Sequence, residues 1–335
     1  MEFNYFIGCD VSKNELDFAV MKGKEFLFHQ EIENTPSAVK YFIDGLLKKE
    51  GFNIKDAVIC LEHTGIYNNH LLCYLHKKQA NICLEVASQI KNSMGNVRGK
   101  NDKVDAIRIA EYAYKNRDGL RLWTPKREIV TELSHLAALR SRLINAKKQL
   151  SMPLEESSSF VSKKILNQNK LLCNKALKGI EDDLKSVEET MEKVIKMDEE
   201  LKRLFSIITS VKGVGKITAT QIIITTNEFK DIKNPKKFAC YAGVAPFVRE
   251  SGLMKGKGRV SHLANKKVKT VLHMSALVAI NHNSDLKKYY ERKVKEEKKN
   301  KMLVINAVRN KLILIIFACV NQNRKYEEEY IRAVA

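Results

Sequence analysis

Asp102 and Asp105 stand one helical turn apart in "GKNDKVDA", so a helix opening there sets both carboxylates on one face near its start. Alone, such a pair is an ordinary solvated acidic face. Two further acids change that reading. Asp10 closes the apolar run "FNYFIGCD", and Glu62 closes "AVICLE". Carboxylates gathered without lysine or arginine partners repel one another and raise their own pKa values. A divalent cation removes that penalty. Magnesium, or manganese in its place, prefers hard oxygen ligands and retains waters, so such a cluster can hold ions between protein and phosphate. A pair of ions can stabilise both the attacking and the leaving oxygen of a phosphoryl transfer. The expected metal ligands are Asp10, Glu62, Asp102 and Asp105.

The elements that must position them are legible. "FNYFIGCD", "LDFAVMK" and "EFLFHQEIE" read as strands, with Gly23 suited to a hairpin turn between the last two. "TPSAVKYFIDGLLKKE" reads as a helix capped by Thr35, with Pro36 in its first turn. "AVICLEHTG" is a fourth strand ending near Glu62, "IYNNHLLCYLHKKQ" is helical, and "NICLEVA" is a fifth strand. A loop rich in Gly, Asn and Lys then leads to a helix beginning near Asp102. Three strands, helix, strand, helix, strand, helix is the ribonuclease-H-like order, an antiparallel meander continued by parallel strands through helical crossovers. In that topology the four acids converge at one edge of the sheet, within a first domain at 1–120.

Residues 121–205 read as a helical segment. "REIVTELSHLAALRSRLINAKKQL" is helical and "SMPLEESSS", with Pro153, breaks it. A 3-4 alternation then runs through Cys173, Leu177, Ile180, Leu184, Val187, Met191, Val194, Asp198, Leu201 and Phe205, the period of a coiled-coil seam. It serves equally for pairing with another subunit or for antiparallel pairing with the preceding helix. Residues 206–335 form a third, mainly helical segment. There "ITSVKGVGKITATQIII" has a helix-hairpin-helix pattern, in which Gly213 and Gly215 turn the backbone and the helix opening at Lys216 offers free N–H groups to a phosphate.

Net charge is +20 over 335 residues, and +16 of it falls in residues 206–335. No acid occurs between Ser251 and Ser284, while Lys255, Lys257, Arg259, Lys266, Lys267 and Lys269 supply positive charge. Such a concentrated excess is the footprint of a nucleic-acid partner. Hydrophobic residues at 44% suit folded cores. The strongest apolar run, "KMLVINAVRNKLILIIFACV", is interrupted by Arg309, Asn310 and Lys311, so no membrane span is expected. The start lacks the pattern of a signal peptide, and a cytoplasmic, nucleoid-associated protein of a bacterial or archaeal cell is expected. Seven scattered cysteines have no zinc-site spacing and read as reduced thiols.

"IGCDVSK", "LEHTGIY" and "KNDKVDA", followed by "GVGKITA" and "YAGVAPFVRESG", resemble the insertion-sequence transposases of the DEDD class. That family includes Piv-type DNA invertases and bridge-RNA-guided recombinases, and the likeness covers nearly the whole chain. It implies a RuvC-like domain, a coiled-coil segment and a C-terminal transposase domain. Its four acidic positions fall on Asp10, Glu62, Asp102 and Asp105, and its serine nucleophile on Ser251. The activity it implies cuts and rejoins DNA through a 5′-phosphoserine, in a site composed across domains or subunits. Donor and target DNA, a guide (bridge) RNA, and dimers assembling into tetramers are the implied partners. This chain departs from many relatives at His262 and Ala264, where they carry lysine and glycine. The competing class is a RuvC-like junction nuclease that hydrolyses DNA with metals and water and has no use for Ser251. His63 and His262 are left outside the site.

Overall fold

The computed structural model describes residues 3–93, 101–156, 159–251, 254–261 and 263–328, with the backbone alone at 248, 249, 254, 255 and 257. The chain divides into two compact units, Met1–Pro125 and Lys126–Ala335.

In the first unit β1 (Tyr5–Val11), β2 (Glu15–Lys22), β3 (Glu25–Glu33), β4 (Ala57–Glu62) and β5 (Asn81–Glu85) form one sheet in the order β3-β2-β1-β4-β5. The β1–β2 and β2–β3 pairs are antiparallel, and β1–β4 and β4–β5 are parallel. This is the ribonuclease-H-like sheet that the strand signals predict, turning at Gly23 with φ +58°. α1 (Pro36–Leu47) starts where Thr35 Oγ1 accepts from the Ala38 N–H. α2 is Asn69–Lys77. Both pack on the sheet face that carries Ile7, Cys9 and Val11. The opposite face carries Phe6, Ala19, Met21, Val58, Cys60 and Cys83, and α4 (Asp102–Lys115) covers it. Because side chains alternate along a strand, Asp10, Asp17, Glu62 and Glu85 also belong to the α4 face. Part of the expected loop before Asp102 is instead a short helix, α3 (Ala87–Ser93). The rest of that loop lies outside the described residues.

In the second unit α5 (Glu128–Glu156) runs through Pro153, where the sequence predicts a break. The ring disrupts only the end of a long helix, which stops three residues later. α6 (Lys163–Met197) pairs with α5 antiparallel. Arg140 meets Glu188 at 2.6 Å, and Lys147, seven residues further along α5, meets Glu181, seven residues earlier on α6, at 2.8 Å. The predicted seam is the buried stripe. Cys173, Leu177, Ile180 and Leu184 are half-buried, and Val187, Met191 and Val194 are buried. It does not run on as one helix to Phe205. Asp198 stops α6 and caps α7 (Glu199–Thr209), accepting from the Leu201 N–H at 2.9 Å. An aspartate in an apolar seam is better satisfied as a helix cap than as a seam residue.

α8 (Lys216–Thr226), α9 (Pro235–Tyr241), α10 (Lys266–His282), α11 (Ser284–Glu291) and α12 (Lys301–Asn321) complete the helical part. By length and composition α12 would suffice to cross a membrane, contrary to the reading of its sequence. Val308, Leu312, Ile313 and Ile316 are fully buried in a core shared with α7, α8 and α10. Between α9 and α10 lies an unpredicted hairpin, β6 (Pro246–Ser251) paired antiparallel with β7 (Met254–Val260). Its glycines and lysines hide the alternation by which strands are recognised.

Candidate active site and nucleic-acid surface

The α4 face is built around the absence of a side chain. A Cβ on Gly8 would stand 2.1 Å from the Ala106 carbonyl oxygen and 2.3 Å from the Ala110 nitrogen. Glycine at this position lets the α4 backbone lie directly on β1. Ala106, Ala110 and Ala113 keep the contact thin. Asp10 follows two residues later on the same face. The side chain of Asn101 accepts from the Lys103 N–H at 2.9 Å and starts α4, so Asp102 and Asp105 occupy its first turn. A helix N-terminus favours negative charge there.

The acids feel one another. Burial raises the pKa of Asp10 foremost, the nearby charge of Asp105 adds to it, and those of Asp102 and Asp17 follow. Only the Val11 N–H, donated at 3.0 Å, works the other way. Glu62 ends β4 half-buried. β1 and β4 are interior strands, so Asp10 and Glu62 lie near the ends of central strands, and Asp102 and Asp105 stand in the first turn of the helix that covers that face.

The donor set suits a hard divalent cation, being all oxygen, anionic, and already unfavourable as an anion at Asp10. The described side chains are nevertheless not drawn into ligating contact. Among the described residues no three His, Cys, Asp or Glu groups stand close enough to share a metal. Arg108 holds Asp105 at 2.8 Å.

Three residues near this site are not predicted from the sequence. Asp17 lies directly opposite Asp10 in the antiparallel register, 6% exposed, with His29 Nε2 2.8 Å from its carboxylate. Glu85 lies beside Glu62 in the parallel register and accepts from the Tyr112 hydroxyl at 3.2 Å. Burial first, and then Glu85, push that phenol up to about 12. Glu85 closes its strand as Glu62 closes the neighbouring one, a signal that the sequence does carry. Arg108 has none beyond its spacing from Asp105.

In the second unit Ser251 is exposed at the end of β6, its backbone paired with Met254. Arg259 on β7 and Lys266 and Lys267 on α10 are exposed, and Lys269 is half-buried. The side chains of Lys255 and Lys257, and His262 altogether, lie outside the described residues. Gly213 has φ +96°, and a Cβ there would meet Ala279 at 2.6 Å, so it is needed both for the turn and for packing on α10. Gly215 is the N-cap of α8 with φ −87°, a conformation open to any residue. Lys216 is engaged with Glu192 of α6.

Two family models match, a DEDD transposase model of the IS110 type over residues 7–156 and the Transposase IS116/IS110/IS902 family over residues 205–291. The pilin gene-inverting protein of Moraxella lacunata is 25% identical over 96% of this chain and 98% of its own length. A protein of insertion element IS110 from Streptomyces coelicolor is 26% identical over 37% of this chain and 30% of its own. Among solved structures, T. thermophilus RuvC in complex with a Holliday junction substrate aligns over 36% of this chain and 99% of its own, at 11% identity and a TM-score of 0.28. A ribonuclease-H-like unit carrying a carboxylate cluster, followed by a basic, mainly helical one, is the architecture of a DEDD-class transposase. The chain belongs to the IS110-type family of these enzymes.

Proposed function

We propose that this transposase cuts and rejoins the DNA of an insertion sequence, with Ser251 as nucleophile and Asp10, Glu62, Asp102 and Asp105 as ligands for magnesium or manganese. The observation that carries the reading is the Gly8 contact, which seats α4 on β1 and brings Asp102 and Asp105 within electrostatic reach of Asp10. The bound metal would stabilise charge on the phosphate oxygens. Ser251 Oγ forms a bond to the scissile phosphorus as the bond to the 3′ oxygen breaks, and the serine proton ends on that oxygen. The products are a 5′-phosphoserine and a free 3′-hydroxyl. Attack by another 3′-hydroxyl reverses the step and returns the proton to serine, so the phosphodiester energy is retained. A gene-inverting relative of matching length supports rejoining over hydrolysis, since inversion requires both ends to be resealed.

The basic surface at Arg259, Lys266, Lys267 and Lys269 supplies phosphate contacts. Placing the last three in the first turn of α10 sets positive charge where a helix prefers an anion. That arrangement suits a partner that brings the anion. Lys255, Lys257 and the Gly213 turn extend the same role, and a structured guide RNA with dimers assembling to tetramers completes the reading.

The test is mass spectrometry of a nicked complex trapped on DNA. A nucleotide on Ser251, absent from Ser251→Ala protein that still folds, supports the reading. Metal-dependent cleavage with no adduct would establish the hydrolytic junction nuclease instead. Sequencing of small RNAs copurified with the protein tests the guide.

A further inference from the structure

Arg309 is a buried cation with no carboxylate partner among the described residues. It is 6% exposed, and its Nε–H finds no acceptor among the described residues. Among the described residues its guanidinium meets neutral groups, donating to Asn306 Oδ1 at 3.3 Å and to His273 Nδ1 at 2.5 Å. Accepting that bond requires a neutral imidazole. Burial first, and then the charge of Arg309, lower the pKa of His273 and keep it so. A buried charge in this condition is costly unless something anionic completes it.

Arg309 lines a groove of about 820 Å³ between the β6–β7 hairpin, α10 and α12. Arg259 and Lys269 add two more positive charges to its walls, and no acid lines it among the described residues. Apart from Asn306 and Asn310 the remaining wall is largely apolar, from Pro246 and Val260 across to Met302 and Leu303, which are 56% and 70% exposed. Apolar side chains left open beside three cations, with a volume suited to a small-molecule-sized group, fit a phosphate attached to a flat base. The wall is held in place, since Asn306 Nδ2 donates to the Val244 carbonyl at 2.7 Å. The hairpin forming the other side ends β6 at Ser251.

We propose that this groove seats one unstacked nucleotide of a single-stranded DNA segment, its phosphate on Arg309 with Arg259 and Lys269, and its base against Met302 and Leu303. The inference rests on the reading of the chain as a DNA-cutting transposase, and it adds that part of the substrate is bound unpaired beside the serine-bearing hairpin. Single-strand binding of this kind tolerates sequence, because every base offers a flat face.

The experiment uses the full-length Ser251→Ala protein in chelator, so that no chemistry enters, with a fluorescent oligodeoxythymidylate carrying 4-thiothymidine as probe. The expected result is a photocrosslink within Met302–Asn310, and binding weakened about tenfold by Arg309→Gln. Leu303→Glu, an exposed change that leaves the core untouched, should weaken binding comparably with an unshifted melting temperature. Crosslinks confined to other segments would overturn the groove. So would wild-type affinity in Leu303→Glu, or tighter binding of the matching oligouridylate or duplex. Adduct formation at Ser251 is measured separately in the wild-type protein, so a failed groove and a failed serine chemistry give different results.

Discussion

Two clusters of charge in this molecule are built on opposite plans. In the second unit Arg127 donates from both terminal nitrogens to Asp198 at 2.7 Å and from Nε to Glu228 at 3.0 and 3.1 Å, and Lys230 adds a contact to Glu228 at 2.9 Å. Burial opposes the charge on Glu228, yet Arg127 and Lys230 outweigh it and hold its pKa below the usual carboxylate range. Arg127, joined by the Leu201 N–H, brings Asp198 to about 2. That network ties down a backbone run in which Asn227, Glu228 and Phe229 all have positive φ, a conformation that costs a residue with a Cβ about 1–2 kcal/mol. In the first unit the cluster around Asp10 is left short of cations. Asp10 and Asp102 have no ion pair among the described residues, and Asp10 is displaced upward instead of downward. Complete pairing accompanies structure here, whereas incomplete pairing is what the proposed metal site requires.

The largest effect expected from breaking this contrast comes from the scaffold of the acidic cluster. Gly8→Ala must push α4 off β1, at about 3 kcal/mol or more, and should cost the first unit its cooperative melting transition and all strand transfer. Next, Arg127→Ala leaves Glu228, whose side chain is 0% exposed, with Lys230 as its remaining cation and takes the pair from Asp198. Allowing for the solvent that reaches Arg127, the loss should be about 2–3 kcal/mol in a denaturant titration. The same network should fail in acid. Asp198 and Glu228 have depressed folded pKa values, so their contribution is full above the unfolded carboxylate range. It is lost as pH falls from there toward about 2. Melting temperatures followed through that window in wild type and Arg127→Ala should converge. The smallest effect has the opposite sign. Because the folded state disfavours ionised Asp10, Asp10→Asn should raise the melting temperature of metal-free protein by a few degrees while abolishing strand transfer. Magnesium should stabilise wild type and not this variant. A destabilised Asp10→Asn protein would show that the acids are structural.

Much of this architecture is legible in the amino-acid sequence. The sheet order follows from alternation and turn chemistry, and the four acids fall at strand and helix ends that local patterns define. The α6 seam is visible because its apolar positions repeat cleanly. Its termination at Asp198 is not, since an aspartate within the repeat reads as a polar seam residue, and the Arg127 that also holds it lies 71 residues away. The β6–β7 hairpin, lysine- and glycine-rich, carries no period. The role of Gly8 is hidden for a different reason. A glycine in a strand announces a close approach without naming what approaches, and the partner here is a helix about a hundred residues on. Asp17 reads as an ordinary strand residue, although a buried acid opposite Asp10 belongs to the same electrostatic problem.

The Gly8 contact also bears on how this protein can drift in evolution. Every single-base change that replaces a glycine brings in a Cβ, and the atoms it would strike are a carbonyl oxygen and an amide nitrogen, not side chains. Trimming Ala106 or Ala110 to glycine would therefore relieve nothing, and would weaken α4 by about 1 kcal/mol each. Position 8 thus has no neutral neighbours and no side-chain suppressors. A lineage that loses this glycine can regain the enzyme by reversion, or by moving a whole helix.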